Sequence, residues 1–107
     1  MHSERPRARR YPFVATIEIT DVGTETQFIG QTNDVSVYGC GVNTQKALPK
    51  GTTVRVRIIH ASTNFVALGK VTYANPDAGI GVAFTQVELN HQAILEKWID
   101  QLREMHA

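Results

Sequence analysis

The sequence predicts a small, mainly β domain: an antiparallel sandwich or barrel with one C-terminal helix. Short segments in which apolar and polar residues alternate recur about every ten residues between residues 13 and 86, separated by turn residues. No helical pattern interrupts them, and such spacing is typical of antiparallel strands joined by turns. After Asn90 the apolar residues change to the spacing of an amphipathic helix.

The first strand is predicted from Phe13, because Phe13, Ala15, Ile17 and Ile19 alternate with more polar neighbours. Turns are expected where Gly, Pro, Asn, Asp or Ser accumulate, for example around Pro49. The further strands are predicted over residues 27–34, 40–43, 54–59, 65–73 and 80–84.

The C-terminal helix is predicted over residues 87–105. Thr85 to Glu88 has the spacing of a capping box, and Asn90 is a competing N-cap. The apolar stripe is expected to pack on one mouth or side of the β domain as core, the alternative being a dimer seam. The stripe consists of Ile94, Leu95, Trp98, Ile99 and Leu102.

Length and composition predict one domain, residues 1–107, with a modest core. The single cysteine, Cys40, excludes an internal disulfide and favours a reducing compartment, so we expect a cytoplasmic protein. No apolar run of 18 residues occurs and the start lacks the apolar stretch of a secretory signal, so no membrane insertion is expected. The four histidines are scattered, which argues against a zinc site, and no cofactor is expected.

Residues 1–12 are predicted to form a flexible arginine-rich arm that precedes the β domain, which is assigned to residues 13–86. The first ten residues contain four arginines and one glutamate, a net +3, whereas the other 97 residues carry seven Lys/Arg and nine Asp/Glu, a net −2. A basic arm on a slightly acidic body indicates an anionic partner.

The segment Asp34-Val35-Ser36-Val37-Tyr38-Gly39 follows this arm in the chain. A carboxylate and a hydroxyl two residues apart on a strand point to the same side, and a glycine allows a turn with positive φ or a close approach to a ligand. An ionised Asp accepts hydrogen bonds and Ser also donates them, so the pair suits guanine with its phosphate. Taken alone, the segment favours the other interpretation, an Asp-Ser turn that closes a β connection.

Arm and segment together resemble the signature of the PilZ domain family of bacterial cyclic di-GMP receptors: Arg-x-x-x-Arg, then [Asp/Asn]-x-Ser-x-x-Gly. Arg5 and Arg9 match the first part, and Asp34, Ser36 and Gly39 the second. Residues 79–84 are similar to the closing strand of the family. Arg5 and Arg9 are the strict match, since Pro6 stands four residues before Arg10 and Phe13 stands four residues after Arg9.

The resemblance implies a six- to seven-stranded antiparallel β-barrel with a C-terminal helix, and a non-catalytic receptor for cyclic di-GMP. It implies that Arg5 and Arg9 grip guanine and phosphate, with Arg10 as a third contact. Asp34 would accept from a guanine edge, Ser36 would meet phosphate or base, and Gly39 would hold the turn. Asn33 is a weaker addition.

An enzyme is not expected, because neither Ser36 nor Cys40 has an assigned histidine partner. The expected partners are cyclic di-GMP and an unidentified downstream protein, with the chain a monomer or weak dimer. The alternative function is a degenerate member of the family that binds another protein and no nucleotide. Nucleic acid is disfavoured by the negative charge of the body.

Overall fold

The structure is a computed structural model that describes residues 8–46 and 48–106. It is a β-barrel with a C-terminal helix, as the sequence predicts. The strands are β1 Tyr11–Pro12, β2 Thr16–Asp21, β3 Gln27–Ser36, β4 Gly39–Asn43, β5 Thr53–His60, β6 Thr63–Asn75 and β7 Gly79–Gln86. The helix, α1, spans Leu89–Met105.

Six strands form the closed barrel. The order along the sheet is β3-β2-β5-β6-β7-β4, and β4 pairs back with β3, so that the ring is complete. All pairs are antiparallel, and β1 joins as a seventh strand beside the last residues of β3. Closure removes the exposed edges that an open sheet would present, and it decides between the sandwich and the barrel that the sequence left open.

The barrel core follows the period of two in the sequence. Ile17 and Ile19 of β2 are fully buried, as are Val54, Val56 and Ile58 of β5, whereas residues between them face outward. Burial of each such side chain contributes roughly 1.5–3 kcal/mol. The alternation of the sequence therefore specifies which face of each strand lines the barrel.

The apolar stripe of α1 belongs to the core of this chain. Leu95, Trp98, Ile99 and Leu102 are buried, and the helix packs on β6 and β1. The Trp98 ring lies 5.7 Å from the ring of Phe13, measured between centroids. The prediction of a core stripe is thus confirmed, and a dimer seam is not needed to bury it.

The helix begins later than predicted. Its N-cap is Glu88, which makes no side-chain capping hydrogen bond, so neither the capping box at Thr85 nor the N-cap at Asn90 is correct. The reason is that Thr85 and Gln86 belong to β7, which extends the sheet through the residues that looked like a cap. Val87 and Glu88 alone connect strand and helix.

The start of the β domain differs from the prediction: β1 lies within the predicted arm, and β2 begins at Thr16, three residues after the predicted start at Phe13. β1 and β2 both run beside β3, and residues 13–15 between them bulge around the hydroxyl of Thr32. Thr32 is 1% exposed; its Oγ1 accepts from Ala15 N at 2.9 Å and donates to Phe13 O at 2.5 Å. The strands consequently start at Tyr11 and not at Phe13, and the predicted arm of residues 1–12 overlaps β1.

No helix in the described part of the chain is long and apolar enough to cross a membrane.

Candidate functional site

Asp34 lies on the outer face of the barrel, where three strands meet. It is opposite Pro12 of β1 and opposite Gly41 of β4, and a bulge at Asn33 precedes it in β3. Its Oδ1 accepts two hydrogen bonds of 2.9 Å, one from Gly41 N and one from Arg10 Nη1. The Oδ2 atom makes no hydrogen bond to any residue that the structure describes. The carboxylate is therefore held in place through Oδ1.

The Arg10–Asp34 ion pair is open to solvent. The Arg10 side chain is 46% exposed and that of Asp34 is 34% exposed. Ion pairs at such exposure contribute about 0–1 kcal/mol to stability. The guanidinium of Arg10 and the carboxylate of Asp34 therefore lie side by side, and separating them costs little free energy.

Gly41 provides the room for the Asp34 carboxylate, and sequence reasoning missed it. A Cβ at Gly41 would lie 3.0 Å from Asp34 Oδ1, tighter than ordinary contact. The available signal was the Gly39-Cys40-Gly41 alternation on a short strand, which puts both glycines on the face opposite the buried Cys40. Gly41 therefore lets the carboxylate lie against the strand and receive the Gly41 N–H.

Ser36 has a structural role in the β3–β4 turn. It is only 4% exposed, and its Oγ accepts from Tyr38 N at 3.1 Å and lies 3.5 Å from Gly39 O. Asp34 and Ser36 are therefore unequally accessible, although they are two residues apart on one strand. The reading of this segment as a turn that closes a β connection applies to Ser36, while ligand contact by its hydroxyl stays a prediction.

Gly39 is needed for strand packing. Positive φ angles occur among the described glycines at Gly51 and Gly79. Of the two roles expected of Gly39, the turn with positive φ is therefore wrong, while a close approach to a ligand stays a prediction. A Cβ at Gly39 would instead collide with the carbonyl oxygen of Val82 on β7. Gly39 lets β4 approach β7 and so supports the surface that carries Asp34.

The two described arginines of the arm point to different partners. Arg10 pairs with Asp34, whereas the guanidinium of Arg9 lies 5.0 Å above the ring of Tyr11, a cation–π contact. Tyr11 is buried in β1 and so anchors this end of the arm. Arg5 lies outside the described residues, and its predicted contact is not placed.

Cys40 lies beneath this face, and its thiol is expected to be unreactive. Burial, and then the negative charge of Asp34, raise the pKa of the Cys40 thiol from 9.0 to about 12, while Arg10 lowers it. A fully buried thiol that stays protonated is a poor nucleophile. The ring of His60 packs against Phe13 and Trp98, at 4.8 and 5.3 Å between centroids.

Within residues 8–46 and 48–106, no cluster of three His, Cys, Asp or Glu side chains is arranged to hold a metal ion.

The fold and the site define a closed six-stranded barrel with an acid–hydroxyl–glycine turn beside a basic N-terminal segment. The model of the PilZ domain family matches residues 4–101, and the chain belongs to this family. A search among curated proteins gave no significant match.

Solved structures share the fold at low sequence identity. The PilZ domain of CeSA from a cellulose-synthesizing bacterium superposes with a TM-score of 0.69 at 20% identity, over 89% of this chain and 98% of that one. The PilZ domain of Escherichia coli YcgR with c-di-GMP gives 0.72 at 14% identity, over 96% and 95%. The Bacillus subtilis inhibitor of motility, MotI/DgrA, gives 0.73 at 14% identity, over 97% of this chain but 53% of that protein.

Proposed function

We propose that the protein is a non-catalytic receptor for cyclic di-GMP, bound on the outer face where β1, β3 and β4 meet. The observation that carries the proposal is the exposed Arg10–Asp34 pair on the barrel surface. Arginine binds phosphate and the O6/N7 edge of guanine, and a carboxylate accepts from the N–H groups of its opposite edge. One pair thus offers both contacts that a guanine nucleotide needs.

Ligand binding exchanges partners at this pair. Arg10 leaves Asp34 for a phosphate oxygen, and the carboxylate accepts the N1–H and N2–H groups of a guanine. The exchange is favourable because an exposed ion pair contributes only about 0–1 kcal/mol, whereas charge-assisted contacts to phosphate are among the strong hydrogen bonds. Asp34 keeps its orientation throughout, since Gly41 N still binds Oδ1.

Arg9 and Arg5 complete the cationic part of the site in this proposal. Arg9 is exposed and stacked on Tyr11, so its guanidinium is already at the surface near β1. On binding, the Arg9 guanidinium turns from the tyrosine ring to a phosphate or a guanine edge. Arg5, which precedes it in the arm, contacts the ligand from the opposite side to the barrel. Ser36 and Gly39 contribute by fixing the turn below, with the Ser36 hydroxyl as an additional contact to phosphate or base.

Signalling follows from the change at the surface. Ordering of the arm costs roughly 1–2 kcal/mol per residue fixed, which the contacts to the ligand exceed. The covered face then presents a new surface to a downstream protein, with no chemical step on the ligand. The proposal agrees with the presence of c-di-GMP in the E. coli structure that shares this fold.

Titration calorimetry with cyclic di-GMP tests the proposal. The wild type should release or absorb heat with saturation, and Arg9→Ala and Arg10→Ala should each weaken binding at least about tenfold, as expected for loss of a charge-assisted contact. Arg57→Ala is the matched control: Arg57 is 47% exposed and also forms an ion pair, with Glu18, but on β5 and β2. If the wild type showed no saturable heat at about 100 μM ligand, its affinity would be too weak for a useful receptor, and the proposal would be refuted.

The second candidate is a protein-interaction module that binds no nucleotide. Its supporting observation is the exposure of Val14 and Met105, which border a concave surface with Trp98 between the β1–β2 bulge and the end of α1. Such exposed apolar groups suit a protein partner. A wild type that shows no heat with cyclic di-GMP, yet melts as one cooperative unit, would favour this candidate.

A further inference from the structure

Four residues form a row across the outer face of the barrel, one on each of four adjacent strands. Asp34 of β3 is opposite Gly41 of β4, Gly41 is opposite Gly81 of β7, and Gly81 is opposite Tyr73 of β6. Bulges at Asn33 and Thr72 bring the two ends of the row into this register. Two side chains therefore flank two positions that have none.

Tyr73 lies across Gly81. A Cβ at Gly81 would collide with the tyrosine ring, and three consecutive ring atoms, Cδ2, Cε2 and Cζ, lie within 2.8 Å of that position. The ring thus covers the glycine backbone and does not merely touch it with its tip. Tyr73 is 45% exposed. One side of the ring is consequently against the barrel and the rest is open to solvent.

The Asp34 carboxylate leans the opposite way, over Gly41. The ring and the carboxylate therefore lie above two neighbouring strands, β7 with Gly81 and β4 with Gly41, which in a sheet are about 4.8 Å apart. That separation suits a flat base that stacks on the ring and directs its polar edge to the carboxylate. Any side chain at position 41 or 81 would occupy the space between them.

We infer that Tyr73 is the stacking platform for a guanine base whose N–H edge is bound by Asp34. The inference rests on the proposed function and adds a binding residue outside the two sequence motifs. The two residues have different roles, because aromatic stacking accepts every base, whereas an acceptor-only carboxylate selects the base that presents adjacent N–H donors. Tyr73 supplies affinity, and Asp34 supplies the preference for guanine.

The test compares Tyr73→Phe, Tyr73→Leu and Gly81→Ala with the wild type by calorimetry with cyclic di-GMP and with cyclic di-AMP. Phe keeps the ring and should bind nearly as the wild type does. Leu still covers Gly81 but has no aromatic plane, and loss of a base–aromatic stack predicts at least about fivefold weaker binding. In Tyr73→Leu the ratio of the affinities for cyclic di-GMP and cyclic di-AMP should stay as in the wild type, because Asp34 is intact.

Gly81→Ala keeps Tyr73 but pushes its ring aside, since the three heavy atoms nearest to the added methyl group are ring atoms of Tyr73. It should weaken binding as Tyr73→Leu does. Thermal melts of each variant report on folding, and a nuclear Overhauser effect between the Tyr73 ring protons and guanine H8 in the wild-type complex reports directly on stacking. That effect would not arise if Tyr73 merely stabilised the barrel.

The outcomes separate this inference from the proposed function. A wild type that binds cyclic di-GMP, with Tyr73→Leu binding equally well and no Overhauser effect, overturns the stacking role alone. A wild type that binds no cyclic di-GMP overturns both. Weaker binding by Tyr73→Leu and Gly81→Ala, retained binding by Tyr73→Phe and a ring-to-base Overhauser effect establish the platform.

Discussion

Asp34 has two partners in the ligand-free protein, and substitutions can separate them. Asp34→Ala removes both the ion pair with Arg10 and the acceptor of the Gly41 N–H. Arg10→Ala removes the ion pair alone. Asp34→Asn retains an Oδ1 that accepts from Gly41 but carries no charge.

The expected losses follow from exposure. The ion pair is 46% and 34% exposed on its two sides, so Arg10→Ala should lower the free energy of unfolding by no more than about 1 kcal/mol. The bond to Gly41 is partly buried and has a charged acceptor, so Asp34→Ala should cost about 1–2 kcal/mol more. Asp34→Asn should fall between the wild type and Asp34→Ala.

Urea unfolding, followed by Trp98 fluorescence, measures these differences. With slopes of about 1–3 kcal/mol per molar urea for small proteins, a loss of 2 kcal/mol moves the midpoint by roughly 1 M. The wild type should have the highest midpoint and Asp34→Ala the lowest. Arg10→Ala and Asp34→Asn should lie between them, close to each other. If Arg10→Ala were as destabilised as Asp34→Ala, the ion pair and not the backbone hydrogen bond would support the β3–β4 contact, and the reasoning would be wrong.

Three further predictions concern the residues around this face. Thr32→Val keeps the shape of the side chain but leaves the buried Ala15 N–H without its acceptor, so it should cost about 1–3 kcal/mol in urea unfolding, whereas Thr32→Ser should cost less. Gly39→Ala places a methyl group on the carbonyl oxygen of Val82, which cannot swing aside, so a loss of about 1–3 kcal/mol or more is expected; an unchanged melting temperature would contradict it. The pKa of the Cys40 thiol is raised from 9.0 to about 12 on folding, so the unfolded chain loses this proton at a lower pH than the folded protein does. The contribution of Cys40 to the free energy of unfolding is therefore fully present below pH 9. It is lost as the pH rises to 12, by at most about 1.4 kcal/mol per pH unit. Cys40→Ala should therefore show a shallower decline of stability over that range, and equal slopes would refute the burial argument.

Local patterns predicted most of the fold. The alternation of apolar residues assigned the inward face of β2 and β5, and the helical stripe around Trp98 assigned the buried face of α1. These predictions succeed because side-chain direction within one strand or helix depends only on the period of the backbone. The start of the helix was wrong, because Thr85 joins β7 and pairing with a neighbouring strand outweighs a local capping pattern.

The sequence by itself determined most of the strands and their inward faces, together with the cluster of arginines and the motif that includes Asp34, since each is a property of neighbouring residues. Only the tertiary structure decided that Arg10, and not Arg9, pairs with Asp34, that Ser36 is buried, and that Tyr73 covers Gly81. The physical reason is register. Which residues face each other across strands depends on pairing partners and on bulges that add one residue, and a shift of one residue sends a side chain to the other face of the sheet.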